Sequence, residues 1–194
     1  MVRIILIRPG ATDYAQQGRI QGTLEVPLNE EGTGEVARLT EELRDQGIQA
    51  VYAPPCEPAR QTAQAIAKAL GVKFKKLDRM QNLNHGLWQG MLIDEVRRKQ
   101  PKVYKQWQEQ PQNVRPPEGE MISQAAARVR AAMTKLLKRH RQGAIAVVVP
   151  EPLASLVRHF FLHGKLGDLW KVNNGHGRWE VLDIEPNEVL QNVG

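Results

Sequence analysis

The first side chains able to do chemistry follow an apolar run: Ile4, Ile5, Leu6 and Ile7 lead directly into Arg8, Pro9, Gly10 and Thr12. A short, β-branched run that ends in Pro-Gly reads as a buried parallel strand rather than a helix. In open α/β sheets, ligands bind beyond the carboxyl ends of the strands. A guanidinium in such a place can hold an anion bidentately. A second apolar run, residues 144–149, ends in Pro150 and Glu151.

Other candidates are weaker. His159 and His163 stand four apart on a predicted helix, a spacing that can chelate a metal. No carboxylate accompanies them in the zinc-protease pattern, and Phe160 and Phe161 lie between, so a surface or packing role is the better reading. Only three residues lie between Cys56 and Arg60, not the five of a cysteine phosphatase loop. His85, His140 and His176 have no metal motif around them, and no metal or cofactor is expected. A basic helix face carrying Arg128, Arg130, Lys135, Lys138 and Arg139, with Arg97, Arg98 and Lys99 elsewhere, is able in principle to meet nucleic acid. With ten aromatics in the chain and no recognition motif, a solvated face is the better reading.

The elements that must position these residues alternate. After the first strand, Asn29 and the acids Glu30 and Glu31 signal a helix start, with a stop at Gly47. Residues 50–53 read as a strand, 57–70 as a helix with Pro58 in its first turn and Gly71 closing it, and 72–77 as a strand. Pro101 divides two short helices within 91–109, and 110–119 carries three prolines and no periodicity. The longest helix is expected over 121–142 and an edge strand over 177–184. This alternation predicts an α/β fold, a three-layer α/β/α sandwich with a mostly parallel sheet. No repeat or linker divides the chain, so residues 1–194 are expected to form one domain, with 91–120 as a cap or loop region.

Composition agrees. Hydrophobic residues at 41% and charged residues at 25% are near globular averages, and the net charge of +6 favours anionic partners only weakly. The one cysteine excludes an internal disulfide framework and fits a reducing compartment. No apolar segment approaches the length of a membrane span, and Met1-Val2-Arg3 leads straight into a strand rather than a signal peptide. A soluble, cytoplasmic protein is expected.

The ordered motifs resemble the histidine phosphatase superfamily, which includes the cofactor-dependent phosphoglycerate mutases. Its opening signature is a strand followed by Arg-His-Gly-x-Thr, matched here by Arg8-Pro9-Gly10-Ala11-Thr12. Gly18-Arg19-Ile20-Gln21-Gly22, then Pro27, Leu28 and Gly32, resemble the loop that closes over the family's phosphate pocket. The family's Ser-Ser-Pro-Leu-x-Arg-Ala-x-x-Thr-Ala segment is met by residues 53–63, which puts Pro58 in the slot of the phosphate-gripping arginine and Arg60 on another helix face. Residues 79–90 resemble the block that carries the family's general acid, whose slot holds Asn82. The second histidine falls on Pro150, which puts Leu153, Val157, Phe161 and Leu162 at the apolar helix positions; Glu151 is the alternative.

The resemblance implies a phosphoglycerate mutase-like fold, phosphoryl chemistry through a phosphohistidine, and a cap formed from residues near 91–120. It also implies that the four reactive slots are occupied by Pro9, Pro58, Asn82 and Pro150, which offer no nucleophile, no cation and no acid. By the same resemblance Arg8, Thr12 and Arg19 line the pocket. Arg8 either binds an anion or makes a salt bridge, for instance to Glu151. Three readings follow. In the main one the chain is catalytically inactive and acts by binding a small ligand or a protein. The second is a phosphatase or phosphomutase-type enzyme with a non-standard site, using Glu151 with Arg8. The third is nucleic-acid or other polyanion binding through the basic surface, although nucleic acid is not the partner expected first.

Overall fold

The computed structural model describes residues 1–166, 168–170 and 175–191. Strands β1 (Val2–Ile7), β2 (Ile48–Ala53), β3 (Lys73–Lys76), β4 (Gly143–Val148) and β5 (Trp179–Ile184) form one sheet in the order β3-β2-β4-β1-β5. β1 pairs in parallel with β4, and β2 with both β4 and β3, while β5 runs antiparallel to β1 as an edge. In β1 every residue except Arg3 is buried, and in β4 every residue except Gly143. Burial on both faces is why these strands are continuous apolar runs with no alternation to read.

Side chains of successive residues on β1 go to opposite layers. Ile5 and Ile7 pack with Leu39 of helix α2 (Glu30–Glu42), with Leu43 just past its end, and with Ala63 and Ile66 of helix α3 (Glu57–Leu70). Ile4 and Leu6 pack on the other face with Val129 and Met133 of α6 (Ile122–Arg139) and Val157 of α7 (Leu153–Leu162). The three-layer, mostly parallel architecture expected from the sequence is therefore present. No helix among the described residues is long and apolar enough to cross a membrane.

Several element bounds differ from expectation; β2 starts at Ile48 rather than 50, and β5 at Trp179 rather than 177. α2 ends at Glu42, and a 3-10 turn over Arg44–Gln46 brings the chain to Gly47 at φ 66°, because buried Leu43 pins the chain to the core before the glycine. α6 ends at Arg139 rather than 142, where His140 turns extended and its Nε2 sits 2.8 Å from the Tyr52 hydroxyl. A terminal helix, α8 (Pro186–Gln191), was not foreseen; it opens on proline and rests half-buried Val189 and Leu190 on the core. The remaining helices are α1 (Asp13–Gln16), α4 (Ile93–Lys99) and α5 (Pro101–Glu109).

Candidate functional site

Beyond the carboxyl ends of β1 and β4 lies a pocket of about 90 Å³, lined by Arg8, Pro9, Gly10, Thr12 and Arg19 from the first loop, Pro58 of α3, Asn82 and His85, Pro150 and Glu151, Trp170 and His176, among others. The structure thus brings all eight residues singled out in the sequence to one wall-to-wall site, and both alternatives for the second histidine slot, Pro150 and Glu151, border it. Arg60 is not among the lining residues; it pairs with Glu57 at 2.5 Å on α3.

The first loop is held by close backbone approach. A Cβ on Gly10 would lie 2.4 Å from the Gly32 carbonyl oxygen, and one on Gly32 would lie 2.1 Å from that of Ala11, so glycine is required on both sides where the loop crosses the start of α2. The amide of Gly10 donates to the Thr62 hydroxyl at 3.2 Å. Thr12 caps α1 by accepting from the Ala15 amide, and its own proton goes to Gln21 Oε1 at 3.0 Å. Arg19 donates to Gln17 Oε1 and to the Gly90 carbonyl, both at 2.7 Å, and so ties its loop to residue 90. Thr12 and Arg19 therefore do structural work at the rim.

Arg8 is spoken for as well. Its Nε lies 2.5 Å from Glu151 Oε1, with only 15% and 6% of the two side chains exposed. Glu151 Oε2 accepts from the Ser155 amide and hydroxyl, and Glu180 stands 3.7 Å from the other side of Arg8. Of the two roles open to Arg8, the salt bridge is the one adopted. Asn82 is 4% exposed and turns its Oδ1 to the Leu83 amide.

Two lining histidines carried no sequence signal. His85 is buried at the edge of an aromatic cluster, its ring 5.4 Å from Trp107 and 6.2 Å from Trp170, and desolvation pulls its pKa down to about 3. It is a neutral imidazole at physiological pH, and its Nδ1 finds no hydrogen-bond partner among the described residues. His176 sits at the rim with Nδ1 3.2 Å from Glu35 Oε1, and Glu35 Oε2 accepts from the Ala11 amide at 2.8 Å. Segment 91–120 contributes no lining residue; it reaches the site one layer down, where buried Trp107 meets His85 and Trp170.

The remaining sequence candidates stay outside. His163 lies past the end of α7 at φ 53°, and the His159 ring turns to the Gly164 carbonyl, so the two do not share a ligating helix face. Among the described residues no group of three or more His, Cys, Asp or Glu side chains is placed to hold a metal ion. Burial pushes the Cys56 thiol up to about 12, far from a reactive thiolate.

Comparison with known proteins bears on this pocket. The chain is 29% identical over 185 residues to phosphoserine phosphatase 1 of Hydrogenobacter thermophilus, covering 95% of this chain and 88% of that protein. Among solved structures, YhfR of Bacillus stearothermophilus superposes with a TM-score of 0.83 at 22% identity over 95% of this chain and 92% of that one. A mycobacterial glucosyl-3-phosphoglycerate phosphatase, solved in complex with VO3, gives 0.82 at 22% identity over 93% and 92%. These structures share the fold. The sequence profile of the histidine phosphatase superfamily, branch 1, matches residues 4–192, and the chain belongs to that superfamily.

Proposed function

We propose that this chain is a catalytically inactive member of the superfamily whose pocket binds a small, uncharged or internally neutral ligand, or a partner's side chain. The observation that carries the reading is the pairing of Arg8 with Glu151 inside a pocket lined by Pro9, Pro58, Asn82 and Pro150, the residues that the resemblance assigns to the reactive slots, with Glu151 the alternative to Pro150. Phosphoryl transfer needs a nucleophile, cationic donors for the transferred oxygens and an acid for the leaving group. Those four side chains offer none of them, and the cation nearest the slots is neutralised. What replaces them is a wall of proline rings and Trp170, with neutral His85 as a buried polar anchor. Such a lining suits a ligand with apolar surface and one hydrogen-bonding group.

The test is an assay with a generic phosphate ester over a broad pH range, beside a Pro9→His, Pro58→Arg, Asn82→Glu, Pro150→His quadruple variant. The native protein is expected to be silent and to bind inorganic phosphate weakly at this site; activity in the variant would show a scaffold still able to catalyse. Reproducible turnover by the native protein, or tight phosphate binding there, would overturn the reading.

One observation favours a second reading, an enzyme with a non-standard site. His176 is oriented by a carboxylate at the pocket rim, the arrangement that fixes an imidazole as a base. Glu151 with Arg8 serves this reading less well, since both are already paired. The second reading requires turnover that His176→Asn abolishes.

A further inference from the structure

A separate group of cations lies away from this pocket. The segments 73–79 and 135–141 hold Lys73, Lys75, Lys76 and Arg79, and Lys135, Lys138, Arg139 and Arg141, against one carboxylate, Asp78. Their combined charge of +7 exceeds the +6 of the whole chain, so the rest of the molecule is close to neutral. Fifty-five residues of sequence separate them, and the fold brings them together around Tyr52. Lys75 Nζ lies 5.6 Å from the Tyr52 ring, and the Tyr52 hydroxyl is bonded to His140.

Between them is a depression of about 180 Å³ lined by Tyr52, Lys76, Leu77, Asp78, Ala132, Lys135, Leu136 and Arg139. Lys76, Lys135 and Arg139 are exposed, and none is within ion-pair distance of a carboxylate among the described residues. The local field is felt by His140, whose pKa is lowered first by burial and then by Lys75 and Arg139.

Each element has its own reason for cations. Lysines on β3 protect an edge strand from pairing with other chains, and Lys138 and Arg139 complement the carboxyl end of α6. Neither reason calls for the cations of both elements to converge on one concave site without carboxylate partners, an arrangement in which they repel one another until an anion arrives.

We propose that this depression is a binding site for an oligophosphate chain, such as inorganic triphosphate or the phosphates of a nucleotide. Lys76 and Lys135 act as point charges, and Arg139 contributes a planar fork for two oxygens of one phosphate. Asp78, an exposed carboxylate in the same lining, disfavours a ligand that spreads over the whole surface and leaves the site to a compact anion held by the three cations. The site shares no lining residue with the pocket beside β1, so it stands whether or not that pocket binds a ligand.

Calorimetric titration of the full chain with inorganic triphosphate at low salt tests it. Saturable one-to-one binding is expected, weakening steeply as sodium chloride is added. Lys76→Gln, Lys135→Gln and Arg139→Gln should each weaken it by roughly tenfold, the loss expected for one charge-assisted hydrogen bond. Unaltered thermal unfolding of these surface variants serves as the folding control, and Lys102→Gln, at an exposed cation outside both sites, should leave triphosphate binding unchanged. Titration with ATP distinguishes the sources: equal affinity points to the bare phosphate chain, higher affinity to a nucleotide, and both support the site. No binding by the native chain at low salt, or affinity untouched by all three substitutions, would overturn it.

Discussion

Arg8 and Glu151 sit at the ends of adjacent parallel strands, β1 and β4, and their side chains meet at 2.5 Å with little exposure to water. A pair held in this way satisfies itself: the cation best placed to attract an anion is already balanced, and Ser155 supports the carboxylate. Removing Glu151 leaves Arg8 with only the longer contact to Glu180 at 3.7 Å, and breaking a well-buried pair costs up to about 3 kcal/mol. Glu151→Gln should therefore lower thermal stability and free Arg8, so that inorganic phosphate raises the variant's melting temperature more than that of the native protein. Equal phosphate responses in the two proteins would show that Glu151 does not guard the site.

His85 makes stability depend on pH. Folding holds its pKa at about 3, whereas the unfolded chain returns it to about 6.5. Between those values the unfolded state binds a proton that the folded state refuses, so stability falls as pH drops through this window, by up to about 1.4 kcal/mol per pH unit. His140, also lowered, adds in the same direction. His85→Phe keeps a ring in the aromatic cluster and removes the proton site. Denaturant midpoints from pH 7 to 4 should fall less steeply for the variant, and parallel curves would contradict a buried neutral imidazole.

The pocket residues could be found in the sequence because each belongs to a motif with its own spacing: glycines mark the close crossing of the first loop, and the slots count from them. His176 has no such marker. It reaches the rim because β5 lies antiparallel beside β1, with Trp179 opposite Ile7, and because Glu35 from α2 meets it there. Nothing local in either stretch encodes that meeting. His85 was equally opaque, since its surroundings are assembled from Trp107 and Trp170, far away in the chain. The Arg8 salt bridge was readable as one of two roles, but the choice between them depended on side-chain geometry. The early end of α6 came from the contact of His140 with Tyr52, a tertiary partner that overrides helix propensity.

Cys56 should be chemically silent in the folded protein. It is buried at the start of α3, and desolvation raises its thiol to about 12, so the thiolate fraction at pH 8 is very small. Ellman's reagent at pH 8 should react slowly with the native chain and fully once denaturant is added. Fast reaction without denaturant would mean that the segment around residue 56 opens readily.

Glycine substitutions separate close approach from helix propensity within a single helix. Gly32 and Gly34 both lie in α2, but a Cβ on Gly32 would sit 2.1 Å from the Ala11 carbonyl oxygen and 2.6 Å from its amide nitrogen, whereas one on Gly34 meets nothing within 4 Å. Backbone lies on both sides of the Gly32 clash, so no side chain can swing away, and the first loop itself must move. Gly32→Ala should destabilise by about 3 kcal/mol and shift the loop carrying Arg8 and Pro9. Gly34→Ala should stabilise by up to about 1 kcal/mol, the ordinary gain of alanine over glycine in a helix. Denaturant unfolding of the two variants should move the midpoint in opposite directions. Two shifts of the same sign would mean that the loop does not press on α2 as the geometry requires, and the wall of the pocket would lose its anchor.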